Sequence, residues 1–238
     1  MSFKDIESEI KPFYHSFSSD VVNDFYNKVL SESVRYDRII PFFSSNSLAI
    51  TSKGIANFII KGGHMRLLCG ADLTKSDVEA IKNANDLKDY INKNFIDEYE
   101  NLQNEIAKDH VKFLGWMIAN NLLEIKIGIP VDENGDYSLN SVLHLKIGLL
   151  YDENEDCIMF NGAPSEIQID GANNIEILDV FKSWKDRGEI FIQHKEHFEE
   201  LWNGQNDHLM VFDVPEATKK QLIKIAPESK DELENILK

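Results

Sequence analysis

The side chains best suited to chemistry in this sequence are His144 and Lys146, which stand two positions apart in an apolar stretch. Side chains alternate along a β-strand, so a histidine and a lysine at this spacing point to the same face. An imidazole can act as a nucleophile or carry a proton, and an ammonium group can hold a phosphate oxygen. The pair therefore predicts phosphate chemistry on a mainly buried strand, which we expect to span residues 142–151.

A histidine and a lysine at this spacing can occur by chance, but a set of small and polar residues follows them in the sequence. Asn161, Gly162 and Ser165 follow the return strand of an expected hairpin, and Asn174 and Glu176 lead into the next strand. Taken in order, these residues resemble the signature of the phospholipase D superfamily, H-x-K-x4-D, then G-S-x-N, then N-x-E. The turn aspartate of that signature corresponds most nearly to Asp152.

Further stretches resemble one branch of the superfamily, a single-motif nuclease-like domain. This domain is found at the N-terminus of certain bacterial helicase-like proteins tied to restriction and DNA processing. The stretches that carry the resemblance are residues 36–48, 62–68, 144–152 and 177–184, and the similarity covers most of residues 20–226.

The resemblance implies an α/β fold, a phospholipase D-like mixed sheet flanked by helices on both faces. It implies hydrolysis of DNA phosphodiesters through a phosphohistidine, without a metal ion or cofactor, beside a helicase domain of a longer protein. His144 would be the nucleophile or general acid, Lys146 the phosphate clamp and Glu176 an orienting carboxylate.

The histidine-lysine spacing also occurs at His110 and Lys112, but in a stretch expected to be helical, so His144 and Lys146 form the one copy on an expected strand. Single-motif members of the superfamily place two copies of the histidine across a twofold axis. The resemblance therefore implies a homodimer with its interface near His144.

Two positions depart from the superfamily pattern. Ala163 and Ser165 stand where the signature has serine and asparagine, which removes phosphate contacts that Ser165 or Asn161 would have to replace. Asp152 lies six residues after Lys146, one more than the signature requires. The alternative is a catalytically impaired module that binds DNA or dimerises, and a lipid or other small phosphodiester ranks last as substrate.

The elements that position these residues follow from hydrophobic periodicity, capping residues and glycine. Strand and helix alternate with short connections, which predicts βαβ units and a largely parallel sheet. We expect strands at 33–43, 64–69, 122–130, 142–151, 157–160, 175–181 and 208–213. We expect helices at 21–30, 47–60, 185–203 and 215–225, and two or more helices within 75–120. The domain spans residues 1–226, with an N-terminal helical segment (1–30) and a helical insertion (85–120), and 227–238 is a linker or truncated end.

Ser44 and Ser45 follow the first of these strands. They suit the cap of the next helix, and their place at the end of a strand also suits contact with phosphate.

Other candidate sites fail on spacing. His194 and His197 lie on a helix without the glutamate position of a zinc protease, and a solvated helix face is the better interpretation. Residues 132–136 have the aspartate and asparagine spacing of a calcium loop. Tyr137 stands where that loop has its glycine and Leu143 where it has its final glutamate, so a tight turn is predicted. Cys69 and Cys157 lie in apolar stretches and are expected to be buried free thiols.

Composition limits the classes further. Hydrophobic residues make up 42 % of the chain, which is ordinary for a globular protein. No apolar run is long enough to span a membrane and no signal peptide precedes the fold, so a soluble cytoplasmic protein is expected. The net charge of −16 disfavours association with nucleic acid unless positive charge is concentrated locally.

Overall fold

The described strands form one mixed sheet of eight. The computed structural model describes residues 2–15, 18–41, 52–71, 89, 105–138, 141–162, 177–186 and 188–236. The strands are β1 (Phe13–His15), β2 (Arg35–Ile40), β3 (His64–Gly70), β4 (Leu123–Pro130), β5 (Ile147–Tyr151), β6 (Cys157–Asn161), β7 (Ile177–Lys182) and β8 (Leu209–Asp213). Their order across the sheet is β1-β7-β6-β5-β2-β3-β4-β8.

The centre of the sheet is parallel and its flanks are antiparallel. Strand β3 runs parallel to both β2 and β4, whereas every other neighbouring pair is antiparallel. The expected βαβ arrangement is therefore confirmed for the centre. All three parallel strands end at the same edge of the sheet, which we call the carboxyl edge.

Helices are α1 (Asn27–Glu32), α2 (Ser52–Ile60), α3 (Glu105–Ala119), α4 (Gly188–Trp202), α5 (Glu216–Lys224) and α6 (Lys230–Ile236). A π-helical segment (Val22–Tyr26) precedes α1, and a 3-10 turn (Glu7–Glu9) precedes β1. Helix α2 ends as predicted, because Gly62 adopts a φ of 76° and Gly63 N–H donates to the Phe58 carbonyl, 2.8 Å away. No helix within the described ranges is both long and apolar enough to cross a membrane.

Helices cover both faces of the sheet, which confirms the predicted α/β layering. Side chains of the segment before α1 and of α1, α2 and α3 pack on one face, here called the α1 face, and α4 packs on the other, the α4 face. Because both faces are covered, five of the six residues of β2 are buried. On the α4 face the anchors are Phe191, Phe198, Leu201 and Trp202.

An ionic layer fastens α4 to the sheet. Arg66 donates from Nε and Nη2 to the two carboxylate oxygens of buried Asp37, each over 2.8 Å, and from Nη1 and Nη2 to Glu199 on α4. Its guanidinium also lies 4.7 Å from the ring centroid of Phe198. Burial lowers the pKa of Arg66, but the hydrogen bonds to Asp37 and Glu199 outweigh burial and raise it. The charge on the guanidinium is therefore permanent.

The N-terminal segment departs from the prediction that residues 1–30 are helical. Residues 22–32 are helical, but Phe13–His15 form β1, which pairs with β7. Lys182 holds the segment in place by donating to the carbonyl oxygens of Glu7 and Ile10, over 3.0 and 2.7 Å. A three-residue strand has too little periodicity to be recognised in a sequence.

The chain beyond Pro227 also differs from expectation. The sequence predicts a linker or truncated end there, but residues 230–236 form α6, and Leu233 is only 1 % exposed within the core of the α1 face. A buried leucine among charged residues thus packs this short helix on the core. The assignment of residues 227–238 to a linker stays a prediction, as does the domain boundary.

The predicted strand 142–151 is shorter than expected, because β5 begins at Ile147. Its partner β2 ends at Ile40 and its partner β6 ends at Asn161, so the ladder has no neighbours to extend it. Of the predicted helical insertion, Asp89 and residues 105–119 are described and are helical.

Candidate active site

Leu143 fixes the path of residues 141–146 across the carboxyl edge. Its side chain is buried and packs over Gly70, the last residue of β3, and Gly128, near the end of β4. A Cβ at Gly70 would overlap the carbonyl oxygen of Pro41 and lie 3.1 Å from the Cβ of Leu143. Glycine at the end of β3 thus lets two chain segments converge there.

His144 and Lys146 occupy the outward positions of this segment. Leu143 and Leu145 pack against the α4-side core, whereas His144 is exposed and Lys146 is half-buried. The expectation that the histidine lies on a mainly buried strand was therefore wrong. The edge of the sheet leaves the imidazole open to solvent.

Gly162 joins the lysine to the neighbouring strands. Its amide donates to the carbonyl oxygen of Lys146 over 2.8 Å, which carries the β5–β6 pairing one residue beyond each strand. Gly162 has a φ of 111°, and a Cβ there would overlap the carbonyl oxygen of Ile177, the first residue of β7. A side chain is therefore excluded twice, by conformation and by space.

The carboxyl edge brings together four of the predicted site residues, His144, Lys146, Asn161 and Gly162. The residue that follows Glu176, Ile177, begins β7 at the same edge. The remaining predicted residues lie outside the described residues; they are Ser44, Ser45, Ser165, Asn174 and Glu176.

Asp152 lies at the opposite end of β5 from Lys146. It is fully buried and accepts backbone N–H groups of Phe3, Asn154 and Asp156 over 2.8 to 3.0 Å. A carboxylate committed to three amides at the far edge holds a turn in shape and does not serve the site. The lengthened spacing from Lys146 was the signal of this difference.

Gly148 and Phe160 build a floor beneath Lys146 that the sequence did not reveal. A Cβ at Gly148 would overlap the ring of Phe160, so the missing side chain lets that ring cross β5. Arg38 stands opposite Gly148 in the neighbouring strand, and its guanidinium carbon lies 4.7 Å from the centroid of the Phe160 ring. The available signal was a glycine two residues after the lysine.

A cavity of about 520 Å³ lies at the edge opposite the carboxyl edge. It is away from His144, and its charges are largely balanced: His64 Nε2 is 3.2 Å from Glu124, and Lys126 Nζ is 4.0 Å from Asp213. A carboxylate beside each of these two side chains offers a phosphodiester little attraction, so we place the chemistry at His144. The lining residues are His64, Ile118, Asn121, Leu123, Glu124, Ile125, Lys126, Asp213, Val214, Lys219 and Ile223.

The remaining candidates of the sequence are structural. His194 and His197 lie on α4, where burial lowers the pKa of His194. The turn at residues 132–136 closes on Asp132, whose Oδ1 accepts two backbone amides. Cys69 and Cys157 are buried free thiols, and burial raises the pKa of Cys157 to about 12. Within the described ranges no group of three or more His, Cys, Asp or Glu side chains is placed to hold a metal ion.

No protein-family model matches the chain, and no curated protein matches it. Solved structures of similar fold include NucT from Helicobacter pylori, with 14 % identity over 80 % of this chain and 96 % of that chain, at a TM-score of 0.47. The phospholipase D family member Nuc from Salmonella typhimurium has 10 % identity over 84 % of this chain and 96 % of that chain, at 0.45. Phosphatidylserine synthase from Haemophilus influenzae Rd KW20 has 11 % identity over 94 % of this chain and 42 % of that chain, at 0.49. Likeness at this level concerns overall shape and assigns no residue a role.

Proposed function

We propose that the chain is a phosphodiesterase of the phospholipase D type that cleaves DNA without a metal ion. The observation that carries the proposal is the placement of His144 and Lys146 on one short segment at an open edge of the sheet, hydrogen-bonded to Gly162. The order of the motif residues in the sequence supports the same assignment. The proposal includes a helicase domain in the longer protein, on the resemblance of residues 36–48, 62–68, 144–152 and 177–184 alone.

The proposed reaction proceeds in two displacements. An imidazole nitrogen of His144 attacks phosphorus, and the bond to the leaving oxygen breaks as a phosphohistidine forms. A second histidine gives its proton to that oxygen, and then accepts one from a water whose oxygen attacks phosphorus as the phosphorus–nitrogen bond breaks. Lys146 holds a non-bridging oxygen, and its charge stabilises the more negative transition state.

The second histidine is proposed to come from another copy of this chain. Of the described histidines, His64 lies at the opposite edge, His15 on β1 is three strands from β5, roughly 14 Å, and His208 beside β8 is four strands from it. Exposed apolar side chains flank the site, since Val142 is 59 % and Ile177 49 % exposed. Burying them between two copies would bring the two His144 side chains together.

The test compares His144→Ala and His197→Ala with the unmodified chain on single- and double-stranded DNA in EDTA. We expect cleavage by the unmodified chain and His197→Ala, and a loss of at least about 10³-fold in His144→Ala. An acid-labile covalent adduct of DNA, trapped on the unmodified chain and absent from His144→Ala, would identify the intermediate. An unmodified chain without activity, or a His144→Ala variant that equals it, excludes the proposed reaction.

Dimerisation requires its own measurement, because a monomer could retain the fold. Sedimentation velocity should show a dimer for the unmodified chain and weaker association for Val142→Glu. A fully active monomer at assay concentration would rule out the shared site.

The second candidate function is a DNA-binding or dimerisation module that has lost its chemistry. Ala163 and Ser165 favour it, since they replace a hydroxyl and an amide of the superfamily pattern. Such a module would bind DNA or vanadate in a His144-dependent manner and show no turnover. Binding with turnover excludes it.

A further inference from the structure

The cavity of about 520 Å³ opens onto the backbone of β4, away from the proposed site. Four consecutive residues of this strand line it, Leu123, Glu124, Ile125 and Lys126. Neighbouring side chains of a strand point to opposite faces of the sheet, so a cavity lined by four in a row lies beside the strand and meets its main chain. The cavity therefore offers a ligand backbone groups as well as side chains.

This side of β4 is open because its partner β8 stops short. The last residue of β8 in the ladder is Asp213, and the amide of Val214 reaches the carbonyl oxygen of Ile125 only over 3.5 Å. Pro215 comes next, has no amide proton and precedes α5, which leads the chain away from the sheet. Leu123, the first residue of β4, therefore lies beyond the reach of β8.

The backbone groups of Leu123 point into this gap. On the other side of β4, the amide of Met65 in β3 donates to the carbonyl oxygen of Leu122 over 2.8 Å. Backbone groups alternate in direction along a strand, so Glu124 also faces β3, and Leu123 and Ile125 face the cavity. Among the described strands none pairs with Leu123 on this side, which leaves one donor and one acceptor for a ligand.

The side chains around the gap suit an uncharged, partly apolar ligand. Ile118 of α3 and Ile223 of α5 line the cavity, and Ile223 is 40 % exposed. The two carboxylates of the cavity lie beside His64 and Lys126, so its charges are largely balanced. An extended peptide presents neutral backbone donors and acceptors along one side and apolar side chains above them, and the volume is ordinary for a ligand site.

We propose that this cavity binds an extended peptide segment of a partner protein, which pairs with Leu123 where β8 ends. An amide of the segment donates to the Leu123 carbonyl oxygen, a carbonyl of the segment accepts the Leu123 amide proton, and an apolar side chain packs against Ile118 and Ile223. Because α5 also lines the cavity, one free segment fits between β4 and α5, whereas the edge strand of a second folded copy would bring its neighbouring strand against α5. Binding does not depend on catalysis at His144.

The test measures, by fluorescence anisotropy, the binding of a labelled pentapeptide of alternating threonine and valine with blocked ends. Ile223→Lys places a charge in the cavity, and Met210→Lys is the matched control, because Met210 is a 36 % exposed apolar residue of β8 outside the cavity lining. We expect a dissociation constant of about 10–100 µM for the unmodified chain and for Met210→Lys, and one at least about tenfold higher for Ile223→Lys. No binding by the unmodified chain at about 1 mM peptide, or equal affinities of the two variants, overturns the proposal.

Hydrogen exchange followed by NMR tests the pairing itself. Saturating peptide should slow exchange of the Leu123 amide by more than about tenfold and that of Glu124, which faces β3, by less than about twofold. The same peptide methylated on every amide nitrogen keeps its side chains but loses its donors, so it should bind at least about tenfold more weakly. Equal slowing at both amides, or equal affinity of the two peptides, rules out strand pairing.

Sedimentation velocity separates a partner peptide from a second copy of this chain. Ile223→Lys and Met210→Lys should self-associate to the same extent, whether or not the chain cleaves DNA. Weaker self-association of Ile223→Lys would mean that a second copy fills the cavity, and the assignment to a partner protein would be wrong.

Discussion

The carbonyl oxygen of Lys146 accepts the amide proton of Gly162 over 2.8 Å, one residue beyond the end of each paired strand. This single bond links the candidate phosphate clamp to the start of β7, because the Gly162 backbone touches the carbonyl oxygen of Ile177. Three strands therefore meet at one glycine beside the proposed site.

Replacing that glycine should damage both the fold and the site. Gly162→Ala places a Cβ against the Ile177 carbonyl at a φ of 111°, so we expect a loss of about 2–4 kcal/mol in the free energy of unfolding and reduced turnover. Gly135→Ala is the control, since Gly135 also has a positive φ but no atom within 4 Å of its Cβ position. It should cost about 1 kcal/mol and leave turnover unchanged. Equal losses in urea unfolding would contradict the role of the close approach.

Asp152 should prove structural when it is replaced. Asp152→Ala leaves three buried or half-buried amides without their acceptor, so we expect the free energy of unfolding to fall by about 2–4 kcal/mol. Activity per folded molecule should stay the same. Asp132→Ala is the control. It removes the carboxylate that accepts two amides in a similar but exposed turn, and it should lower the free energy of unfolding by about 1 kcal/mol or less. Selective loss of kcat in folded Asp152→Ala would restore a catalytic role.

The turns that begin at Asp132 and Asp152 both have a residue of positive φ at their fourth position, which predicts a stabilising substitution in the second turn. Glu155 has a φ of 60°, at the turn position where the first turn has Gly135 with a φ of 80°. Glu155→Gly should therefore raise the free energy of unfolding by about 0.5–1 kcal/mol relative to Glu155→Gln, which loses the same charge but keeps the strain. Urea unfolding of the two variants checks this, and an equal or lower value for glycine would show that the bend is relaxed.

Acidification should weaken the attachment of α4. Hydrogen bonding to Arg66 lowers the pKa of Glu199, so the ionised carboxylate stabilises the fold above its unfolded pKa, about 4.3, and this contribution is lost as pH falls through the folded pKa. Glu199 is partly exposed, so Glu199→Gln should cost less than about 1 kcal/mol at neutral pH and nothing at pH ~2–3. Urea unfolding of both proteins at neutral pH and at pH ~2–3 measures this cost. A cost of Glu199→Gln that increases at acidic pH would contradict the prediction.

Binding of DNA by this chain should be weak and steeply dependent on salt. The net charge is −16, so attraction depends on a few local cations such as Lys146. We expect a dissociation constant above about 10 µM at ~0.15 M salt, and a lower dissociation constant as the salt concentration falls. Fluorescence anisotropy on labelled oligonucleotides measures it, and tight salt-insensitive binding would contradict the charge argument.

The sequence predicts the parts of this fold in which local pattern and tertiary placement agree. Apolar β2 and β3, with α2 closed by Gly62 between them, follow from periodicity and capping alone. The position of β1 does not, because it depends on a partner strand far along the chain. At the site, the motif identified His144 and Lys146, but the burial of Arg38 depends on the Phe160 ring crossing Gly148. That contact joins three strands and leaves no periodic signal in any one of them.

The anchoring of the N-terminal segment sets an order of events during synthesis. The amide of Phe3 donates to Asp152, and the carbonyl oxygens of Glu7 and Ile10 accept from Lys182. The hydrogen-bond partners of this segment are therefore synthesised long after the segment itself. On the ribosome, these residues must wait unpaired until most of the chain has emerged, while the parallel centre can already assemble. Strand β1 therefore cannot pair until β7 has been translated, and the outer side of β7 stays exposed until β1 joins it.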